Sequence, residues 1–156
     1  ISVEKYTEFA KMQFHRYGKS IEDEAVVAVY ERFDAVTSCL QRILNVLFLK
    51  TLPGGKCTCD MVDDAINYIL DMFSETYQDL LERIPEKQRE VFIAIAKEGK
   101  AKAITGKTFI KKHHLQTSSV INAAVRGLLE KDFITVDKGV YTIYDPFFAL
   151  WLRNGR

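Results

Sequence analysis

The sequence contains 156 residues, of which 47% are hydrophobic and 28% are charged, and its formal net charge is +1. This length and apolar content suffice for the packed core of one domain or of two small ones. No segment approaches the roughly 18 apolar residues that a membrane span needs, and no signal peptide is visible, so we expect a cytoplasmic protein without a membrane partner. Because the first residue is Ile1 rather than Met, we expect a piece of a longer chain.

The charges are distributed unevenly along the chain. Residues 1–82 contain eight Lys and Arg against fourteen Asp and Glu, a balance of −6, whereas residues 83–156 contain fourteen against seven, a balance of +7. A chain divided in this way is expected to hold two units with different partners. We therefore predict two domains, over residues 1–82 and residues 83–156.

The acidic part is predicted to consist of helices. Ser2 is the expected N-cap of a first helix that ends near Tyr17, before Gly18. Its core-facing side chains recur at helical spacing, and they are Tyr6, Phe9, Ala10 and Phe14. Ser20 is the expected N-cap of a second helix, whose first turn is acidic, as the helix dipole favours.

Two further helical segments complete a predicted four-helix unit. The third helix covers "SCLQRILNVLFLKTL", whose wide apolar surface indicates a central position. The sequence "PGGK" at residues 53–56 is the strongest loop signal of the chain. After it, Thr58 or Asp60 begins a helix, or a pair of helices, that ends near Arg83.

The basic part begins with helices of different lengths. The predicted elements, in chain order, are a helix from Pro85 to Gly99, a linker or short strand over "AKAI", a short helix over Lys107–His114 capped by Thr105, and a longer helix capped by Thr117 or Ser118. Leu115, Gln116 and Thr117 form the turn between the last two helices.

The apolar period then changes to two, which predicts a β-hairpin. Its strands cover Phe133–Val136 and Val140–Tyr144, and Asp137-Lys138-Gly139 forms the turn, with glycine where positive φ is needed. An apolar helix, "PFFALWL", closes the chain. This order is typical of a winged helix-turn-helix domain. We therefore predict a mainly α fold, with a helical bundle followed by a winged helix-turn-helix domain that carries a small β-hairpin wing.

The tripeptide Gly106-Lys107-Thr108 matches the end of the phosphate-binding loop of many ATPases. That loop requires a glycine five residues before the Gly-Lys pair and a preceding buried strand, whereas this chain has Ala101 there and a helical pattern before it. We therefore predict a helix start and no ATP site. Three cysteines without further ligands at zinc-like spacing predict no metal site, and no hydrolase motif is visible, so no catalytic residue is predicted.

The helix after the turn offers a polar face that could contact DNA or a protein. Small polar and basic side chains lie opposite its apolar residues at helical spacing, and they are Ser118, Ser119, Asn122 and Arg126. Further side chains that could reach phosphates are Lys107, Lys111, Lys112, His113 and Lys138. The alternatives are a solvated face, or docking to a protein or to another domain of the same chain.

Three segments carry a resemblance to a known family: "IPEKQREVFIAIAKEG", "FIKKHHLQTSSVINAAVRGLLEKDFI" and "VYTIYDPFFALWL". Here the sequence resembles the C-terminal winged helix of a prokaryotic (archaeal/bacterial-type) P-loop ATPase of the AAA+/STAND group. The acidic half, at "YTEFAKMQFHRYGKSI" and "AVYERFDAVTSCLQRILNVLF", resembles that family's helical lid. The resemblance implies a non-catalytic C-terminal fragment of an ATP-binding ATPase, in which residues 1–82 are a lid-like domain.

In that family, the Walker A/B core would bind ATP and Mg²⁺ outside this chain, and no cofactor is expected in the fragment. The lid would couple nucleotide state to the winged helix, whose partner would be its own ATPase core, another protein or double-stranded DNA. The family's lids often present a sensor arginine where this chain has Thr37 and Ser38, and Arg42 comes only later. We therefore hypothesise that this chain alone neither binds ATP tightly nor hydrolyses it. The alternative is a free-standing winged-helix transcriptional regulator with a helical dimerisation domain.

Overall fold

The structure is a computed structural model that describes residues 1–155. Within that range the chain forms eight α-helices and four short strands. Its contacts divide it into two compact units, one over Ile1–Asp71 and one that begins at Met72. The predicted mainly α fold is confirmed. The division falls inside a single long helix, α4 (Met61–Arg83), eleven residues before the boundary placed by the change in charge.

The first unit is helical apart from one small parallel sheet. Its elements are α1 (Val3–Arg16), β1 (Ser20–Ile21), α2 (Asp23–Arg32), α3 (Thr37–Lys50), β2 (Lys56–Cys57) and the first part of α4. Its core includes Ala25, Val29, Ile43 and Leu47, which are fully buried and come from α2 and α3. The strongly apolar α3 therefore supplies much of this core, as its composition indicates.

The first helix largely follows its sequence pattern. The Ser2 side chain caps α1 by accepting a hydrogen bond from the Lys5 amide at 3.4 Å, as predicted. Tyr6, Ala10 and Phe14 are buried, but Phe9 remains 49% exposed. Phe9 lies at the edge of the apolar stripe, where its ring meets Tyr6 at 6.3 Å and its other side faces solvent.

Ser20 does not cap the second helix, so that prediction is wrong. It lies in β1 and pairs in parallel with Lys56 of β2, while its amide and its hydroxyl both donate to the Gly55 carbonyl, at 3.1 and 3.3 Å. α2 begins after Glu22, whose extended backbone forms the cap without a side-chain hydrogen bond. Ser20 therefore pairs with a segment 35 residues away instead of capping a helix.

The second unit has the element order of a winged helix. After the end of α4 come α5 (Glu86–Glu98), α6 (Lys107–Lys112), α7 (Ser118–Glu130), β3 (Ile134–Asp137), β4 (Val140–Ile143) and α8 (Pro146–Arg153). Phe92 of α5 and Phe147, Phe148 and Trp151 of α8 are buried together with α7's apolar face. The closing aromatic helix thus belongs to the core, as its spacing indicates.

The last turns of α4 are part of this second unit. The Trp151 indole donates to the Ser74 hydroxyl at 3.0 Å, and the Tyr77 hydroxyl donates to the Asp145 carboxylate at 2.9 Å. The Tyr77 ring also stacks on Phe148, with 4.5 Å between ring centroids. Residues 72–83 therefore pack as an additional helix of the winged-helix unit.

A corner joins α4 to α5 at Pro85. Arg89 donates to the carbonyls of Leu81, Glu82 and Ile84 at 3.0, 3.2 and 3.0 Å. The Leu81 and Glu82 carbonyls lie in the last turn of α4, where such oxygens lack the usual intrahelical partner, although the Leu81 carbonyl also accepts from the Ile84 amide at 3.2 Å. The guanidinium also complements the helix dipole. The corner is therefore held by local hydrogen bonds.

The wing is an antiparallel hairpin, as predicted, but Asp137 belongs to β3 rather than to the turn, and Phe133 and Tyr144 lie outside the strands. Asp137 pairs with Val140, so the turn contains only Lys138 and Gly139, with φ of 49° and 77°. Positive φ at both central positions is typical of a type I′ turn. Ala101 adds a single bridge to the wing, because its amide and carbonyl exchange hydrogen bonds with Tyr141 at 2.9 and 2.8 Å.

The tripeptide Gly106-Lys107-Thr108 opens α6, as predicted, and the element before it is α5 rather than a strand. Thr105 does not cap this helix, so that prediction is wrong. Gly106 is the N-cap and has no side chain to accept a bond, while its amide donates to the Ala103 carbonyl at 2.9 Å in a preceding turn. The helix also ends at Lys112, two residues earlier than predicted.

Candidate docking surface of the winged helix

The helix α7, which follows the turn after α6, has two clearly different faces. Its buried side chains are Ile121, Ala124, Val125 and Leu128, whereas Ser118, Ser119, Asn122 and Arg126 are exposed. Thr117 caps the helix, as predicted, by accepting a hydrogen bond from the Val120 amide at 3.4 Å. The structure therefore leaves every predicted contact residue of α7 open to solvent.

Close packing against α5 sets the position of α7. A β-carbon added at Gly127 would lie 2.4 Å from the Gln88 amide nitrogen, so only glycine leaves room for the observed Gln88 side chain. Gln88 in turn accepts a hydrogen bond from Lys131 at 3.1 Å. The sequence pattern did not identify this contact, because an isolated glycine within a helix carries no information about its neighbour.

Three of the predicted lysines extend into solvent. Lys107 and Lys111 lie on α6, and Lys138 lies at the tip of the wing. Within residues 1–155, none of these three ammonium groups takes part in an ion pair. They lie on the helix before α7 and on the hairpin after it, and all three are exposed.

Lys112 and His113 have a different environment, because both contact Glu98. One carboxylate oxygen, Glu98 Oε1, accepts from Lys112 Nζ at 2.8 Å and from His113 Nε2 at 2.7 Å. The His113 side chain is only 8% exposed, and its ring lies 4.6 Å from the Phe109 ring. His113 therefore holds α6 to the end of α5 and offers little surface to a phosphate.

The Glu98 carboxylate is stabilised by these two neighbours. Hydrogen bonds from Lys112 and then from His113 lower the pKa of Glu98 below its ordinary value. Sequence reasoning did not identify Glu98 as a member of this site. It lies fifteen residues before His113, at the end of another helix, and only the tertiary packing brings the two together.

A cavity of about 290 Å³ lies beside this ion cluster, between α5 and α6. Its walls mix carboxylates with basic groups, and they include Glu90, Lys97, Glu98, Lys112 and His114. Within the described residues, no group of three or more His, Cys, Asp or Glu side chains could hold a metal ion. None of the three cysteines, all within the described residues, forms a disulfide, and Cys39 and Cys57 are buried while Cys59 is exposed.

None of the helices described over residues 1–155 is long and apolar enough to cross a membrane.

A model of a protein family described as "Probable winged helix domain" matches residues 75–154. The chain belongs to this family. The match begins inside α4, next to Ser74 and Tyr77, in agreement with the contacts that join the end of α4 to this winged helix.

Among solved structures, the chain is similar to the Walker-type ATPase PABY2304 of Pyrococcus abyssi, with 16% sequence identity and a TM-score of 0.68. The similarity covers 98% of this chain and 42% of the ATPase chain. At this level of identity it concerns the fold. It includes both units of the present chain, which spans less than half the length of that protein. No curated protein matches the sequence.

Proposed function

We propose that this chain is the non-catalytic helical and winged-helix part of a P-loop ATPase. The observation that carries the proposal is that a Walker-type ATPase contains a similar fold over nearly the whole of this chain, while more than half of that ATPase lies outside it. In this proposal ATP and Mg²⁺ bind to a nucleotide-binding core elsewhere in the polypeptide. The first unit is its lid, and it couples the nucleotide state to the winged helix.

Calorimetry with Mg-ATP tests whether the nucleotide binds outside this chain. We expect no micromolar binding to the 156-residue chain, and we expect binding to the full-length product of the reading frame that encodes it. Micromolar affinity for the isolated chain would overturn the proposal that its units are non-catalytic. A reading frame without a Walker core would instead favour a free-standing winged-helix regulator.

The winged helix serves as the docking module in this proposal, and double-stranded DNA is its favoured partner. The observation behind this preference is the exposed face of α7, where Ser118, Ser119, Asn122 and Arg126 precede the first acidic residue of the helix, Glu130. Polar side chains at the start of a recognition helix suit the major groove, and the lysines of α6 and of the wing suit phosphates.

Fluorescence anisotropy with a mixed-sequence duplex tests whether the winged helix binds DNA. If Lys107, Lys111 and Lys138 contact phosphates, raising the salt from about 50 mM to about 200 mM should weaken binding by ~40-fold. Lys111→Ala should lower the salt slope by about one, whereas Lys87→Ala, an exposed charge on α5 outside this face, should not. Absence of binding at low salt would exclude DNA as the partner. The partner would then be a protein, including the ATPase core of the same polypeptide.

A further inference from the structure

The first unit carries an open groove of about 340 Å³ between α1 and α3. Tyr6, Ala10 and Phe14 form its floor and are buried. Phe9 and Tyr17 line it from α1 but are 49% and 60% exposed, so their rings are only partly covered within this unit. The groove therefore combines a packed floor with aromatic side chains that remain available for contact.

The end wall of the groove is built by Phe48 of α3. Its ring packs edge-on against Phe14 and Tyr17, in each case with 5.4 Å between ring centroids. Lys19 fixes the same residue, because its ammonium lies 4.0 Å from the ring centroid and donates to the Phe48 carbonyl at 2.7 Å. The groove is thus preformed, which reduces the entropy lost when a partner docks.

The chemistry of the groove favours a protein surface as its occupant. None of its lining side chains carries a charge, and Gln13, Gln41 and Asn45 add amide donors and acceptors to the aromatic floor. Nucleic acid would require free cations here, whereas the neighbouring Lys19 ammonium is engaged by the Phe48 ring and carbonyl. Contacts between domains of one chain are typically of this mixed type, apolar with polar groups interspersed, and are more polar than obligate interfaces.

Exposed apolar side chains are concentrated in this unit rather than in the winged helix. Eleven large apolar residues are exposed in the described chain, and eight of them lie within residues 1–71. Besides Phe9 and Tyr17, this set includes Leu49 and Leu52, which are 69% and 75% exposed. Of this set, Phe9 and Tyr17 line the groove and are adjacent to its aromatic floor.

We propose that the groove between α1 and α3 is the surface on which the nucleotide-binding core of the same polypeptide docks. This inference rests on the proposed function, since that core is the part of a Walker-type ATPase that this fold leaves out. A domain tethered in the same chain has a high effective concentration, so a shallow groove is sufficient. Movement of the core would then reach this unit through α1 and α3.

Hydroxyl-radical footprinting of the full-length product against the 156-residue chain tests the inference. We expect the oxidation of Phe9 and Tyr17 to fall at least threefold in the longer protein. Met12 is the control, because it is 53% exposed on the same helix but lines a different surface. The double variant Phe9→Ser, Tyr17→Ser should weaken docking, so it should speed hydrogen exchange of α3 more in the full-length protein than in the 156-residue chain, whereas Leu49→Ser should affect the two proteins alike.

The outcomes separate this inference from the proposed function. A full-length protein with a Walker core and unchanged oxidation of Phe9 and Tyr17 would overturn the groove assignment and leave the ATPase proposal intact. A full-length protein without a Walker core would contradict both the groove assignment and the ATPase proposal. If sedimentation shows that the 156-residue chain dimerises and the double serine variant is monomeric, the occupant is a second copy and the inference is wrong.

Discussion

Glu98 and His113 join the end of α5 to the end of α6 through one hydrogen bond of 2.7 Å between Oε1 and Nε2. The contact lies immediately before the turn that leads into α7, so it connects the helix before that turn to α5. The same carboxylate oxygen neutralises Lys112 at 2.8 Å. Glu98 therefore both positions the helix-turn-helix and reduces the positive charge beside it.

The first prediction concerns the charge that Glu98 neutralises. Glu98→Gln should release Lys112 to reach a phosphate, and the slope of log affinity for duplex DNA against log salt should grow by about one. Anisotropy titrations at several salt concentrations measure the slope. Glu90 lines the same cavity, but its carboxylate makes no ion pair within residues 1–155. Glu90→Gln therefore serves as the matched control. Equal slopes for the two variants would argue against this role for Glu98.

The second prediction concerns pH. The folded-state pKa of Glu98 lies below its ordinary value of 4.5, so the carboxylate contributes stability above that value and loses it as pH falls through the folded pKa. The free energy of unfolding should therefore decrease below about pH 4.5, and it should decrease less in Glu98→Gln. Urea denaturation between pH 3 and pH 6 measures the difference, and parallel pH profiles would contradict the prediction.

The third prediction concerns the close approach of α5 and α7 at Gly127. Alanine favours a helix over glycine by up to about 1 kcal/mol, but here the new methyl group would displace Gln88 from its hydrogen bond with Lys131. Gly127→Ala alone should therefore change the free energy of unfolding by less than about 0.5 kcal/mol. In a Gln88→Ala background the same substitution should stabilise the protein by about 0.5 to 1 kcal/mol.

A double-mutant cycle by urea denaturation measures this coupling. If Gly127→Ala has the same effect in both backgrounds, the Gln88 side chain does not restrict this site.

The fourth prediction tests whether the end of α4 belongs to the winged helix. Ser74→Ala removes the acceptor of the buried Trp151 indole and should destabilise the second unit by about 1 to 3 kcal/mol. Trp151 is the only tryptophan, so its fluorescence reports the unfolding of this unit. Thr76→Ala changes an exposed residue of the same helix and should have an effect within about 0.5 kcal/mol. Equal stability of the two variants would contradict this assignment.

The order of the elements could be predicted from the sequence because each signal is local. The apolar period of α7, its Thr117 cap and the Lys138-Gly139 turn all involve residues within a few positions of one another. The same local rules failed at Ser20 and Thr105. Both are good caps by residue type, but Ser20 pairs with another strand and Thr105 lies within the turn that precedes α6.

The local periodicity of the sequence thus determined the winged-helix order, the apolar face of α7 and the polar face opposite it. The tertiary structure decided which charges of that domain remain available, because Glu98 engages Lys112 and His113 but leaves Lys107, Lys111 and Lys138 exposed. It also decided that α4 supplies Ser74 to the winged-helix core and that α1 and α3 enclose an apolar groove. These features depend on residues far apart in sequence, whose contacts no local pattern encodes.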